Sequence, residues 1–311
     1  MRAGHDVVVF EKSRGLGGRA ATRRTPKTTF DHGAQYFEAH DARFVREVDS
    51  MATAGHVAPW QGRVVTIEKG RILEPAVGSR PVRYVGTPGM NAVAAYLGNG
   101  VPVRKKHKIV EIRRERNAWR LVEESRRLSE PFDYAIVTAP PEQAATLTVA
   151  APALCERIAR IDSSPCWAVM FTTPVPLRRD FDAAHVEDEV LSWICRNSSK
   201  PLRGTVESWV LHAAPGWSAE HLADEPEKIT AEMSTAAARI LGGAMPPLTY
   251  SDAHLWRYAR TQRIGTNHFL WDPEMRIGAC GDWCRSADIE GAYLSGLMLA
   301  REIGNAPTPA T

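Results

Sequence analysis

Glu11 closes the short run Asp6-Val7-Val8-Val9-Phe10-Glu11, and Lys12, Gly15, Gly17, Gly18 and Arg19 follow it. A carboxylate at the end of a parallel strand can accept hydrogen bonds from both hydroxyls of an adenosine ribose. Glycines beyond it let backbone approach phosphate, and Arg19 offers a charge-assisted donor, with Lys12 as a neighbouring cation. Taken alone, this segment reads equally well as a solvated basic loop. A second segment, Asp31-His32-Gly33-Ala34-Gln35-Tyr36-Phe37, has a glycine-alanine pair that allows backbone to pass close to a flat ring. Gln35 and Tyr36 then face a cofactor or wall a substrate cavity. The alternative is a β-turn filled by core aromatics.

The third segment is the most informative. Ala279-Cys280-Gly281-Asp282-Trp283-Cys284 reads as a buried strand ending in Gly-Asp, and Ile289-Glu290-Gly291-Ala292-Tyr293-Leu294-Ser295-Gly296 reads as a helix beginning at small residues. Asp282 can accept from a ribityl hydroxyl. The helix start at Glu290, Gly291 and Ala292 can aim N–H groups at the pyrimidine edge of an isoalloxazine, where the positive dipole end favours the anionic reduced ring. A glycine-tolerant core helix is the plainer reading. Cys280 and Cys284 could meet as a redox pair but read better as small core residues.

These segments need a scaffold. The 6–11 run, apolar on both faces, suits a buried parallel strand. Phe44, Val45, Val48 and Met51 are spaced for a helix over 41–54, and residues 57–85 read as short strands broken by Gly62, Gly70, Pro75, Gly78 and Pro81. Thr87 is expected to cap a helix through Leu97 with Pro88 at its first position. Strands are expected at 107–113, 118–123, 132–137, 165–173, 190–196, 205–212, 250–260 and 275–280, and helices at 218–223, 226–241 and 289–303. The tail from Asn305 is expected to fray. The pattern is a discontinuous α/β domain (1–40, 84–150 and 260–311) with an inserted α+β substrate domain (41–83 and 151–259).

With 311 residues, 44% hydrophobic and 24% charged, the chain is too long for one average domain and has an ordinary globular composition. A net charge of +3 demands neither nucleic acid nor membrane. Five sparse cysteines fit a reducing cytoplasm rather than a disulfide scaffold, and no apolar run is long enough to span a bilayer. The histidines lack zinc-protease spacing, so no metal site is expected, and no G-x-S-x-G is present. Arg104-Lys105-Lys106-His107-Lys108 and Arg113-Arg114-Glu115-Arg116 read as a solvated hairpin face.

Together the three segments resemble the renalase family of NAD(P)/FAD-dependent oxidoreductases, within the flavin amine-oxidase superfamily. Tyr84 to Asn91, Phe132 to Pro140, Trp209 to Ser218 and Trp256 to Ala259 resemble further family segments, so the likeness spans residues 4 to 303. It implies FAD as cofactor, a Rossmann-like doubly wound FAD domain with a p-hydroxybenzoate-hydroxylase-type substrate domain, and hydride transfer to flavin with O2 giving H2O2. The substrates it implies are dihydronicotinamide dinucleotide isomers carrying the hydride at the wrong ring carbon. Tyr36, His212, Trp256 and Tyr258, with Gln35, are the expected cavity residues. The family begins with a strand, a G-x-G-x-x-G turn and a helix, so this chain is expected to lack about 25 residues of that unit, with Met1 to Gly4 as the helix's last turn. A flavin amine oxidase acting on a primary or secondary amine, and a non-catalytic paralogue that has lost its cofactor, remain alternatives.

Overall fold

Ala184, Val186, Ile194, Leu211 and Val169 alternate along their strands with Ala183, His185, Cys195, His212 and Ala168, and this period of two builds the largest sheet. In a computed structural model describing residues 4–73, 81–177, 179–261 and 268–305, seven strands lie side by side. Their order is Tyr250–Thr261, Ser163–Thr172, Ser208–Ala213, Leu191–Arg196, Ala183–Glu187, Val64–Glu68 and Arg71–Leu73. One face buries Val169, Phe171, Trp209, Leu211 and Ile194 against Ile229, Met233 and Ala237 of the helix Pro226–Ile240. The other face carries polar rings. Register places His185 opposite Trp193, Trp193 opposite His212, His212 opposite Ala168, and Ala168 opposite His254, in one row across five strands.

Besides Val64–Glu68 against Ala183–Glu187 in the large sheet, parallel strands form two separate groups. Val9–Glu11 pairs with Val103–Lys105, and Ala135–Val137 pairs with Ile277–Ala279, which Leu270–Asp272 flanks antiparallel. The helix Ile289–Asn305 follows and is tied to the strand end by Gly281 N–H donating to Ser295 Oγ at 3.1 Å. The helix Ala42–Thr53 starts at Asp41, whose carboxylate accepts from Arg43 N–H, and buries Phe44, Val48 and Met51 as their spacing predicts.

Several expectations are corrected. Thr87 caps no helix: the helix is Asn91–Leu97, Thr87 Oγ donates to the Gly55 carbonyl, and Thr87–Pro88 is a cis peptide, the geometry of a tight turn. Two helices not expected from the sequence open at prolines, Pro141–Leu147 and Pro152–Ile158, where the missing N–H costs nothing at the first turn. Only Ala135–Val137 of the 132–137 run is strand, since Phe132 turns aside to bridge Trp119. Met1–Ala3, Pro75, Gly78 and the tail beyond Asn305, itself helical, lie outside the described residues.

Leu211→Ala is expected to cost about 2–5 kcal/mol, because Leu211 sits fully buried against the helix. Val149→Ala, at a side chain 66% exposed, should stay within about 0.5 kcal/mol. Urea unfolding that ranks the two equally would contradict this packing.

Candidate functional site

Asp31 closes the strand Thr29–Asp31 and is fully buried. Its Oδ2 accepts from Arg203 Nη2 at 2.6 Å, Arg203 Nε at 3.0 Å and Lys200 Nζ at 3.4 Å. Its Oδ1 accepts from Thr22 Oγ1 at 2.8 Å and from Met90 N–H at 3.0 Å. Burial alone would raise the Asp31 pKa, but Lys200 and Arg203 outweigh it and hold the carboxyl below its ordinary value. Lys200 and Arg203 went unremarked in the sequence, because two cations in a proline-containing loop read as solvent-exposed.

The loop leaving Asp31 is fixed atom by atom. Lys200 Nζ can only donate, so the atom it reaches at 3.0 Å is the Gln35 oxygen. The Gln35 amide nitrogen then spends both protons on the Asp31 and Gly33 carbonyls, at 2.5 and 3.0 Å. No proton is left for His212 Nε2, 3.4 Å away, so His212 carries the proton and donates to the His32 carbonyl at 3.1 Å. Trp256 Nε1 donates to the same carbonyl at 2.9 Å. One backbone oxygen therefore clamps the loop to the polar face of the large sheet.

The clamp continues into the other half of the chain. Ala34 N–H donates to the Arg19 carbonyl at 2.9 Å, and a Cβ on Gly33 would stand 1.9 Å from that oxygen, so only glycine permits the approach. Arg19 in turn grips Asp282 through two bonds, Nη1 to Oδ2 at 3.0 Å and Nη2 to Oδ1 at 2.5 Å, and Nη1 also donates to the Ala259 carbonyl. Thus Arg19, Gln35, His212, Trp256 and Asp282 belong to one connected network. Tyr258 is half-buried on the same strand as Trp256. Tyr36 lies at the other side of the loop, its hydroxyl 3.4 Å from His185 Nε2.

Other expected residues sit apart. Glu290 accepts from the His40 and Asp41 N–H groups, both at 2.8 Å, and so secures the helix Ala42–Thr53. Asp288 has already taken the helix-start donors: Gly291 N–H reaches its Oδ1 at 2.5 Å and Ala292 N–H its carbonyl at 3.1 Å. Gly291 is needed for packing, since a Cβ would lie 2.1 Å from the Ser286 carbonyl. Cys280 and Cys284 are buried thiols pushed up to about 12 by desolvation, which suits packing and not redox chemistry. Glu11 stands half-buried at its strand end, one oxygen accepting from Ser13 N–H at 2.6 Å, while Lys12 is exposed.

Four histidines line this region: His185, His212 and His254 in the register row, and His32 beside it. His32 and His254 rings meet at 5.0 Å, and His254 and Trp256 at 4.5 Å. Burial lowers all four: His32 to about 4, with help from His254 and Arg23, and His212 to about 3, with help from Arg260. His254 is lowered by burial and Arg23, and His185 by burial, Arg83 and Arg260. The carboxylates nearby are spent, Asp31 and Asp282 as above and Asp252 on Arg23 at 2.5 Å. The wall is neutral in its imidazoles, rich in donors and electropositive.

The sequence matches the family described as flavin containing amine oxidoreductase over residues 48–304, more than half of the chain, and a NAD(P)-binding Rossmann-like domain over residues 1–48. The chain belongs to the flavin containing amine oxidoreductase family. Its fold resembles cyclohexylamine oxidase from Brevibacterium oxydans IH-35A, with TM-score 0.73, 12% identity and coverage of 97% of this chain and 94% of that one. A redesigned putrescine oxidase aligns with the same four values. A CLA-producing fatty acid isomerase from P. acnes aligns with TM-score 0.70 and 11% identity, over 96% of this chain and 93% of that one. Family membership makes the protein an FAD-dependent oxidoreductase. The residues present fit that cofactor: Gly18, beside Arg19, has a φ of +51° and open space where a side chain would stand. Among the described residues no helix is long and apolar enough to cross a membrane, and no cluster of metal-binding side chains occurs.

Two predictions follow from this geometry. Arg19→Ala and Asp282→Ala should each weaken FAD binding by about 1–3 kcal/mol, and the double variant by less than the sum, because each deletion already breaks the shared pair. Titration of apo-protein with FAD measures this, and unchanged affinity in both would remove the pair from the cofactor site. The histidines predict a pH dependence. Unfolded His32 and His212 take up protons near the ordinary 6.5, whereas the folded groups refuse them down to about 4 and about 3. Stability is therefore present above pH 6.5 and falls below it, by at most about 1.4 kcal/mol per pH unit for each group. Urea titrations between pH 7 and 4.5 should show a shallower fall for His212→Gln than for the parent.

Proposed function

We propose that this FAD-dependent oxidoreductase oxidises a reduced nicotinamide dinucleotide, as its resemblance to the renalase family implies, with Tyr36, Gln35, His212, Trp256 and Tyr258 around the substrate ring. The net reaction takes a hydride from the dihydro substrate and, with O2 and a proton, yields the oxidised dinucleotide and H2O2. Bound FAD supplies the hydride acceptor and the route to O2. In this reading Glu11, Lys12, Gly17, Gly18, Arg19 and Asp282 hold the cofactor, and the polar face of the seven-stranded sheet is the substrate domain.

The observation that carries the proposal is the electropositive wall. Arg83 and Arg260 press on the histidines of one face, and the carboxylates Asp31, Asp252 and Asp282 are already paired, Asp252 with Arg23. Such a field favours a substrate with phosphates and disfavours an ammonium ion. A hydride leaves carbon without giving a proton to the protein, so the chemistry asks for orientation, not for a strong base. The clamped His32–Gln35 loop and the Trp256 ring supply fixed surfaces for that. His212, with Nε2–H committed to a carbonyl and a pKa near 3, is a positioning residue and not a base at neutral pH.

Amine oxidation is the second reading. Tyr36 lies between Trp60 at 6.1 Å and Trp193 at 5.8 Å, an aromatic group able to receive an alkyl amine. The cyclohexylamine and putrescine oxidases share this fold, but so does a protein named for a fatty acid, and the fold alone does not choose.

Anaerobic stopped-flow mixing separates the two. The FAD-loaded protein should be bleached by 2- or 6-dihydronicotinamide dinucleotides at least tenfold faster than by the 4-dihydro isomer, and air should restore the colour with release of H2O2. Fast bleaching by simple amines and none by the dinucleotides would transfer the assignment to the amine oxidases.

A further inference from the structure

Trp193 and Arg83 each bury a hydrogen-bond donor that finds no partner among the described residues, Trp193 Nε1 and Arg83 Nε. Neither atom can accept, so each keeps its full desolvation cost until an acceptor arrives. Both flank Tyr36: the Arg83 guanidinium lies 5.3 Å from the Tyr36 ring centre, and the Trp193 ring 5.8 Å from it. His185, exposed to solvent, closes the group, its ring 4.7 Å from Trp193 and its Nε2 3.4 Å from the Tyr36 hydroxyl. Glu38 pairs with Arg83 only loosely, its Oε1 3.9 Å from Arg83 Nε, too far for a hydrogen bond, and its other oxygen faces His40 at 3.3 Å. Two unspent buried donors, a phenol, an exposed imidazole and a guanidinium whose Glu38 counter-ion makes no hydrogen bond to it describe a receptor for an anionic, oxygen-rich group.

We propose that Arg83, Trp193 and His185, grouped about Tyr36, form a phosphate subsite that holds the pyrophosphate of the substrate whose ring Tyr36 also borders. The proposal rests on the dinucleotide reading above and names a part of the site that this reading leaves open. A phosphate oxygen replaces the acceptor missing at each buried N–H, and the guanidinium provides the charge. Discrimination then comes from these donors, because a substrate without phosphate leaves them unpaired as they are now.

Steady-state kinetics on the FAD-loaded protein test this with two substrates, a dihydronicotinamide dinucleotide and the phosphate-free dihydronicotinamide riboside. Arg83→Gln should raise KM for the dinucleotide at least tenfold and Trp193→Phe several-fold, with kcat unchanged and KM for the riboside unmoved in both. The two residues belong to different parts of the chain, so a folding defect in one variant leaves the other decisive. Equal effects on both substrates, or none on either, would overturn the subsite. If the parent oxidises no dihydronicotinamide, the functional reading fails by itself, and calorimetric titration of the FAD-saturated protein with inorganic pyrophosphate still decides the subsite. Binding weakened at least tenfold by Arg83→Gln supports it, and binding that is absent or unchanged by the substitution overturns it.

Discussion

Burying Asp31 with Lys200 and Arg203 puts one anion and two cations where no bulk water can solvate them, and the surrounding backbone is arranged to complete their hydrogen bonds. The arrangement fixes much else. Arg203 also donates to the Gly86 carbonyl, Met90 N–H points at Asp31, and Asn197 joins the Asp31 N–H to the Thr29 carbonyl. Three stretches distant in sequence, around 31, 88 and 200, are thereby held at one point. Removing one member would leave the others charged and dry, so the network is less a reservoir of stability than a constraint on which conformation the 31–37 loop can adopt.

From that fixed point the loop reaches both halves of the molecule. The His32 carbonyl receives His212 and Trp256 from the large sheet, and Ala34 reaches back to Arg19, which holds Asp282. The residues proposed to face the substrate and those proposed to hold the cofactor are two and three contacts apart along this path. A shift of the sheet relative to the Arg19 turn would break a bond at the His32 carbonyl or at Arg19, where Gly33 leaves no slack. Short, saturated links of this kind serve a reaction that depends on placing a ring within contact distance of an acceptor.

Sequence patterning exposed the scaffold better than the wall. The strands around 165–173, 190–196 and 250–260 were legible, and the spacing of Phe44, Val48 and Met51 announced a helix, because burial imposes a pattern on each. The helix start was misplaced at Thr87 and the helices opening at Pro141 and Pro152 were missed, because proline can either open a helix or turn the chain. Glu11, Arg19 and Asp282 stood out because a charge beside glycines is unusual at a strand end. Lys200, Arg203, His32, His185 and His254 carried no such signal. Histidines on a polar face look like any solvated residue until register aligns them, and a buried lysine is indistinguishable in sequence from an exposed one.

The histidine row also bears on how the wall can work at neutral pH. Four imidazoles near arginines would repel one another if charged, and desolvation already disfavours the proton, so both effects keep the rings neutral. A neutral imidazole both donates and accepts, and its flat apolar faces can lie against another ring, as His32 lies tilted against Trp256 at 5.0 Å. The positive field then comes from arginines set around the row instead of from the row itself. Under the proposed reading, the arginines would meet phosphate and the neutral rings an uncharged dihydropyridine, the division of labour that a dinucleotide, anionic at its centre and neutral at its reacting end, would require.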